Sequence, residues 1–296
     1  MPLGDFIIWV YCWVDQKLNE SVSDTPLRSR GFPPKLSDAE VLTMELIGEF
    51  LGIDTDQGIW RYFRCHWREW FPQLGSRSQF AKQASNLWAF KLVLQHRLTR
   101  ALGAEQDPVH FIDGFPIPVC LFKRAPKCRR FKGEADFGYC ASKEQTFYGF
   151  RGHMLVDFHG TITSFTLTNA SEDERVALWD IVERVRGLVL GDKGYLGAHL
   201  KQELFKQEVC LETPLRSNMR DTRDPALVKC MTSTRRLVET VIGQLSERFH
   251  IEKVWARDLW HLTNRLGRKI LAHSLGVLIN RTLGRDPLQF DGLIVA

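Results

Sequence analysis

The sequence predicts a mixed α/β protein in which an all-helical N-terminal region precedes a mixed sheet flanked by helices. Three observations point to this class. Apolar residues recur at helical spacing, without strand-like alternation, through the first third of the chain. From about residue 107 the pattern turns to short runs rich in β-branched and aromatic residues, and these runs are then interleaved with helical segments.

In the helical region, residues 5–18 place Phe6, Ile7, Val10, Val14 and Leu18 on one stripe. Ser37-Asp38-Ala39-Glu40 has the form of a capping box, a hydroxyl at the N-cap and a carboxylate three residues on, and opens a helix to Phe50. Residues 26–34, bounded by prolines, read as a loop. Residues 58–71 set Trp60, Phe63, Trp67 and Trp70 on one stripe and Arg61, Arg64 and Arg68 on other faces, so the tryptophans are expected in the core. Residues 78–102 read as one long helix through Phe80, Leu87, Leu94 and Leu98.

Strands are expected at residues 109–119, 148–158 and 160–169, the last two joined by a tight hairpin at His159-Gly160. A helix from Ser171 to about Val185 follows, then a short strand at 188–190 ending at Asp192, a helix at 196–207, a strand at 209–214 and helices at 234–249 and 261–283. The order β-β-β-α-β-α-β-α is that of the ribonuclease-H-like fold, three antiparallel strands extended through helical crossovers. Three regions are expected: a helical region 1–105, a sheet region 106–285 and a tail 286–296.

A chain of 296 residues can bury a substantial core, and its net charge of +5 suits a nucleic-acid partner without requiring one. The 7 cysteines form no C-x-x-C pair, which argues against a disulfide framework or a zinc finger. The apolar stretch 6–14 is too short to span a bilayer and follows Asp5 rather than basic residues, so neither an anchor nor a signal peptide is expected. A cytoplasmic location follows as the expectation.

Three acidic residues stand out. Asp113 interrupts an apolar strand, Asp192 ends a short one, and Glu239 sits on a helix whose buried face is expected to hold Leu237, Val238, Val241, Ile242, Leu245 and Phe249. Each alone has an ordinary reading: a turn at Asp113-Gly114, a helix cap at Asp192, a surface pair of Glu239 with Arg235. Together, if the strands bearing Asp113 and Asp192 run parallel and adjacent, two carboxylates meet at the strand ends and the helix can bring the third. Clustered carboxylates suit two hard divalent cations about 4 Å apart, which activate an oxygen nucleophile and stabilise a departing oxyanion. His110 and His153 are read as strand residues rather than ligands.

These residues resemble the DDE transposases of bacterial insertion sequences, and most closely the insertion sequence 982 family. The resemblance rests on Phe111-Ile112-Asp113-Gly114, on Tyr148-Gly149-Phe150-Arg151-Gly152-His153, on Gly191-Asp192-Lys193-Gly194-Tyr195 and on Arg235-x-x-x-Glu239. It implies a helical DNA-binding segment before a ribonuclease-H-like catalytic domain, with Asp113, Asp192 and Glu239 as catalytic residues and metal ligands. The implied cofactor is Mg2+, with Mn2+ as a substitute. Thr232 and Ser246 depart from the tyrosine and lysine of many related transposases, so those two roles do not transfer.

The resemblance also implies DNA partners, the terminal inverted repeats and the target, a homo-oligomer when two ends are paired, and association with the bacterial nucleoid. Lys123, Arg124, Lys127, Arg129, Arg130 and Lys132 follow the first strand with no acidic residue among them and are expected, with Arg235, to hold phosphates. Arg216, Arg220, Arg223, Arg265, Arg268 and Lys269 offer weaker candidates, and the arginines of the 60–70 segment are expected to face DNA. Two alternatives stand beside the transposase: a ribonuclease-H-like nuclease that only hydrolyses, and a non-catalytic DNA-binding protein of transposase descent.

Overall fold

The structure, a computed structural model, describes residues 1–22, 34–141, 143–215 and 218–295; the side chains of residues 226, 227, 230 and 232–235 lie outside the described residues. The chain opens with α1 (Leu3–Val22), α2 (Asp38–Phe50), α3 (Asp56–His66), α4 (Arg77–Asn86) and α5 (Trp88–Ala101). Strands β1 (Val109–Pro118), β2 (Asp136–Cys140), β3 (Gln145–Asp157) and β4 (Ile162–Asn169) follow. Next come α6 (Glu174–Ile181), β5 (Gly187–Leu190), α7 (Ala198–Phe205), β6 (Val209–Glu212), α8 (Pro225–Glu247) and α9 (Leu259–Thr282). Among the described residues, no helix is long and apolar enough to cross a membrane.

Two compact units form, one from Met1–Gln95, Arg248–His250 and Trp260–Ala296, the other from His96–Glu247 and Ile251–Leu259. The first unit thus takes in α9, which the division at residue 105 had placed with the strands.

In the first unit the capping box of α2 forms as read: Ser37 Oγ accepts from Glu40 N at 3.1 Å and Glu40 returns a carboxylate to Ser37 N at 2.7 Å. α2 is buried on almost every face, which takes Glu45 and Glu49 out of water. Buried carboxylates need partners. Lys91 Nζ reaches Glu45 at 2.8 Å and Asn264 at 2.7 Å, Arg268 bonds Glu49 and Asp56, and Lys269 bonds Glu49 at 2.8 Å and Asp54 at 3.1 Å. Arg268 and Lys269 are therefore core ions, which corrects the expectation that they contact DNA.

Two further expectations change here. The helix expected over 78–102 breaks at Leu87, where Lys91 Nζ donates to the Ala84 carbonyl at 3.0 Å and so satisfies an acceptor at the end of α4. No glycine or proline marks the break. On α3 the buried positions include Ile59 and Phe63, whereas Trp60 and Trp67 are half-buried and Trp70 is 46% exposed. Arg64 stacks over Trp60 at 5.0 Å, a surface pairing and not core packing.

In the second unit the strand order is β2-β3-β1-β5-β6, with β4 also on β3. β1 pairs antiparallel with β3 and parallel with β5, and β5 pairs parallel with β6. This is the mixed sheet expected of the fold, with β1 at its centre. The strand β2 is an addition: a short edge strand that the sequence reading passed over. The hairpin after β3 is longer than expected, because the buried Asp157 carboxylate accepts from His159 N at 2.9 Å and Thr161 N at 2.7 Å and so organises the turn itself. α6 and α7 cover one sheet face, packing Leu178, Ile181, Leu200 and Leu204 on Ile112, Leu155, Val189, Val209 and Leu211. α8 packs on β1.

Candidate active site

The register of the central strands positions the first two carboxylates. Val109, His110 and Phe111 of β1 pair in parallel with Leu188, Val189 and Leu190 of β5. Asp113 and Asp192 each lie two residues beyond the last of these pairs, and Asp192 is still in extended backbone, with φ −77° and ψ 173°. Side chains alternate with a period of two, so both carboxylates stand on the same face as Phe111 and Leu190, on strands about 4.8 Å apart. The opposite face is the one covered by α6 and α7.

Both aspartates are half-buried and are fixed in the same way. Asp113 Oδ1 accepts from Gly114 N at 2.8 Å, and Asp192 Oδ1 accepts from Lys193 N at 2.6 Å. Oxygen donors of this kind suit a hard divalent cation. Glu239 is exposed on α8. Among the described residues, no group of three or more His, Cys, Asp and Glu side chains is set to hold a metal ion, so Glu239 is not gathered with the two aspartates into such a group.

Behind the aspartates, on the sheet face covered by α6 and α7, lies a buried polar cluster that sequence reasoning missed. Tyr195 is fully buried, its hydroxyl 3.1 Å from His153 Nδ1, and His153 Nε2 is 2.9 Å from Thr168 Oγ1. Burial holds the tyrosine hydroxyl protonated well above its usual range, and the carboxylates of Glu174, Asp113 and Asp192 push it the same way against the Arg151 cation. Burial, seconded by Arg151, pulls His153 down to about 4. His153 is thus a neutral strand residue within a hydrogen-bonded chain, and His110, buried with Nε2 2.9 Å from the Ala104 carbonyl, is likewise part of the core.

Arg151 forms an ion pair with Glu174 and donates to the Tyr139 carbonyl at 3.1 Å. The glycine of Asp192-Lys193-Gly194 makes room for this pair, since a Cβ at Gly194 would run into the Glu174 carboxylate. Nothing local in the sequence pairs Arg151 with Glu174. Only the fold of β3 against α6 brings them together.

Of the expected phosphate contacts, Lys123, Arg124, Lys127, Arg129, Arg130 and Lys132 are all exposed, on a segment pinned by the buried Ala125 and Phe131. The Arg235 side chain, the Thr232 side chain and Arg216 lie outside the described residues. Arg223 is engaged by Glu212 at 2.7 Å and by Asp221, and Ser246 donates to Glu252 at 3.0 Å.

A family model described as the Transposase DDE domain matches residues 103–259, more than half of the chain. The chain belongs to the DDE transposase family. The matched span contains β1 with Asp113, β5 with Asp192 and α8 with Glu239. The fold of this DDE transposase is similar to a cryo-EM structure of a piggyBac transposase synaptic complex with hairpin DNA, with a TM-score of 0.51 and 12% sequence identity over 97% of this chain and 76% of that one. No curated protein matches it in sequence. Family membership makes the protein a DNA transposase, and DDE transposases are in general divalent-metal enzymes that cut and join DNA.

Proposed function

We propose that this transposase cleaves the ends of its own insertion element and joins them to target DNA, with Asp113, Asp192 and Glu239 as the catalytic carboxylates. The observation that carries the reading is the shared offset of Asp113 and Asp192 beyond the parallel pairs of β1 and β5, inside the family match. The motif blocks around Asp113, Arg151, Asp192 and Glu239 favour the insertion sequence 982 family.

In this reading Asp113 and Asp192 would hold magnesium, or manganese in its place, and Glu239, which stands apart from them here, would complete the set only when drawn to them on the DNA-bound protein. When bound, the metal would supply activation of an oxygen nucleophile and stabilisation of the departing oxyanion. The nucleophile is water for strand cleavage and a DNA 3′-hydroxyl for strand transfer. Backbone N–H groups fix one oxygen of each aspartate, which orients the carboxylates before substrate arrives. Lys123, Arg124, Lys127, Arg129, Arg130 and Lys132 bind phosphates, and Arg235, one helical turn before Glu239, orients that carboxylate or holds a phosphate oxygen. Exposed arginines of α3 suit the element's terminal repeats, and pairing two ends calls for at least two subunits.

The test is an end-joining assay with precut terminal-repeat DNA, a supercoiled target and Mg2+. Strand-transfer products are expected, and Asp113→Asn, Asp192→Asn and Glu239→Gln are each expected to abolish them while DNA binding persists. Hydrolysis without joining would leave a nuclease. Binding without either reaction would leave a non-catalytic DNA-binding protein.

A further inference from the structure

The segment after β1 presents more than charge. Leu121, Phe122, Phe137 and Tyr139 are 62%, 52%, 44% and 56% exposed, which is unusual for large apolar side chains lying together. Phe137 and Tyr139 are two residues apart on β2 and so share one face of the edge strand. Between them, Gly138 backs onto the Ala170 carbonyl, where a Cβ would sit only 2.8 Å away, so that face of β2 is closed and the aromatic face is open. The Phe122 ring meets Phe137 edge-on at 6.1 Å, and Phe137 stands beside its cross-strand partner, the buried Tyr148, at 5.1 Å. The platform is therefore braced at its flanks.

Around these rings stand Lys123, Arg124, Lys127, Arg129, Arg130 and Lys132, all exposed. The same segment, residues 121–139, holds only Glu134 and Asp136 as carboxylates. Two features tie the platform to the candidate site. The segment continues from β1, whose last residue lies five positions, about 17 Å, beyond Asp113. The Tyr139 carbonyl is held by Arg151, the partner of Glu174.

Exposed cations alone fit duplex phosphates, but exposed rings do not, because a duplex hides its base faces in the stack. Unstacked bases offer those faces, and interleaved rings and cations are the chemistry that takes them. A second copy of the chain docking on the same surface would bring six cations against six in a two-fold arrangement, which is repulsive. We infer that Phe122, Phe137 and Tyr139, with the surrounding cations, bind unstacked bases of single-stranded DNA. In the proposed transposition reaction this strand belongs to the opened DNA next to the cleaved end, an assignment that rests on the transposase reading; the binding itself does not.

The experiment is fluorescence anisotropy with the full-length protein, a labelled oligo(dT) single strand and a mixed-sequence duplex of equal length. Phe137→Ala/Tyr139→Ala is expected to weaken oligo(dT) binding about tenfold or more while duplex binding changes less than about twofold. Tyr139→Phe, which keeps the ring, is expected to bind as the parent does, and Lys123→Ala/Arg124→Ala to weaken both probes and reduce the salt dependence. Equal losses on both probes, or no loss on oligo(dT), would overturn the inference. So would a change in sedimentation showing that the aromatic pair holds two copies together. Cleavage by the parent with Mg2+ is the separate control: if the parent binds oligo(dT) through these rings yet yields no cleavage, the platform stands and the transposition reading falls.

Discussion

The Tyr195 hydroxyl and His153 Nδ1 are 3.1 Å apart in a buried chain that continues to Thr168 and lies in the field of Asp113, Asp192 and Glu174. This chain joins the turn after β5 to the middle of β3, behind the two aspartates. Tyr195→Phe removes the hydroxyl while keeping the ring, and it leaves a buried imidazole nitrogen without its partner. The expected cost is about 1–3 kcal/mol in urea denaturation. A variant as stable as the parent would show that the hydrogen bond adds nothing.

The same histidine gives a pH signature. Its pKa falls from 6.5 to about 4 on folding, so between those values the unfolded chain binds more protons. Stability contributed by neutral His153 is fully present above pH 6.5 and is lost as pH falls through about 4, some 3 kcal/mol in all. Denaturation midpoints of the parent should fall across that window, and His153→Gln should flatten the slope. An identical slope in the variant would remove His153 as its source.

In the helical unit, burial pushes the Glu45 carboxyl up and the Lys91 ammonium down, and their mutual attraction opposes both shifts. Lys91→Met removes the nearer cation from Glu45, leaving it the 3.3 Å contact with Arg268, and is expected to destabilise by about 3 kcal/mol. Adding Glu45→Leu should recover most of that loss, since Arg268 keeps Glu49 and Asp56. A double variant no more stable than Lys91→Met would mean that the pair itself is not the source.

Gly149 faces the backbone of β1, where a Cβ would run into the Ile117 carbonyl oxygen and stand 3.0 Å from Pro118 Cα and Val119 N. Backbone in a paired strand cannot yield as a flexible side chain does. Gly149→Ala is therefore expected to cost about 3 kcal/mol or more. Gly114→Ala meets only ordinary contacts, the nearest at 3.5 Å, and should cost less than about 1 kcal/mol. Thermal melting of the two variants side by side checks the contrast.

The sequence by itself determined most of the element classes and their order, β2 and the break between α4 and α5 excepted. Helical spacing, a capping box at Ser37 and Glu40, and β-branched runs ending at Pro118 and Leu190 are local signals, set by periods of 3.6 and 2 and by the chemistry of helix ends. It also marked Asp113, Asp192 and Glu239, because a carboxylate within or at the end of an apolar run is conspicuous without any knowledge of neighbours. What only the tertiary structure decided depends on which side chains meet. Arg268 and Lys269 look like solvated cations until α9 turns them toward Glu45, Glu49 and Asp56. Arg151 and Glu174, or Tyr195 and His153, have no shared period and become partners only when β3 lies beside β1 and α6 packs back on the sheet. The short strand β2 escapes for a related reason: five residues at a sheet edge are strand because Gln145–Gly149 pair with them, and their own pattern is too brief to say so.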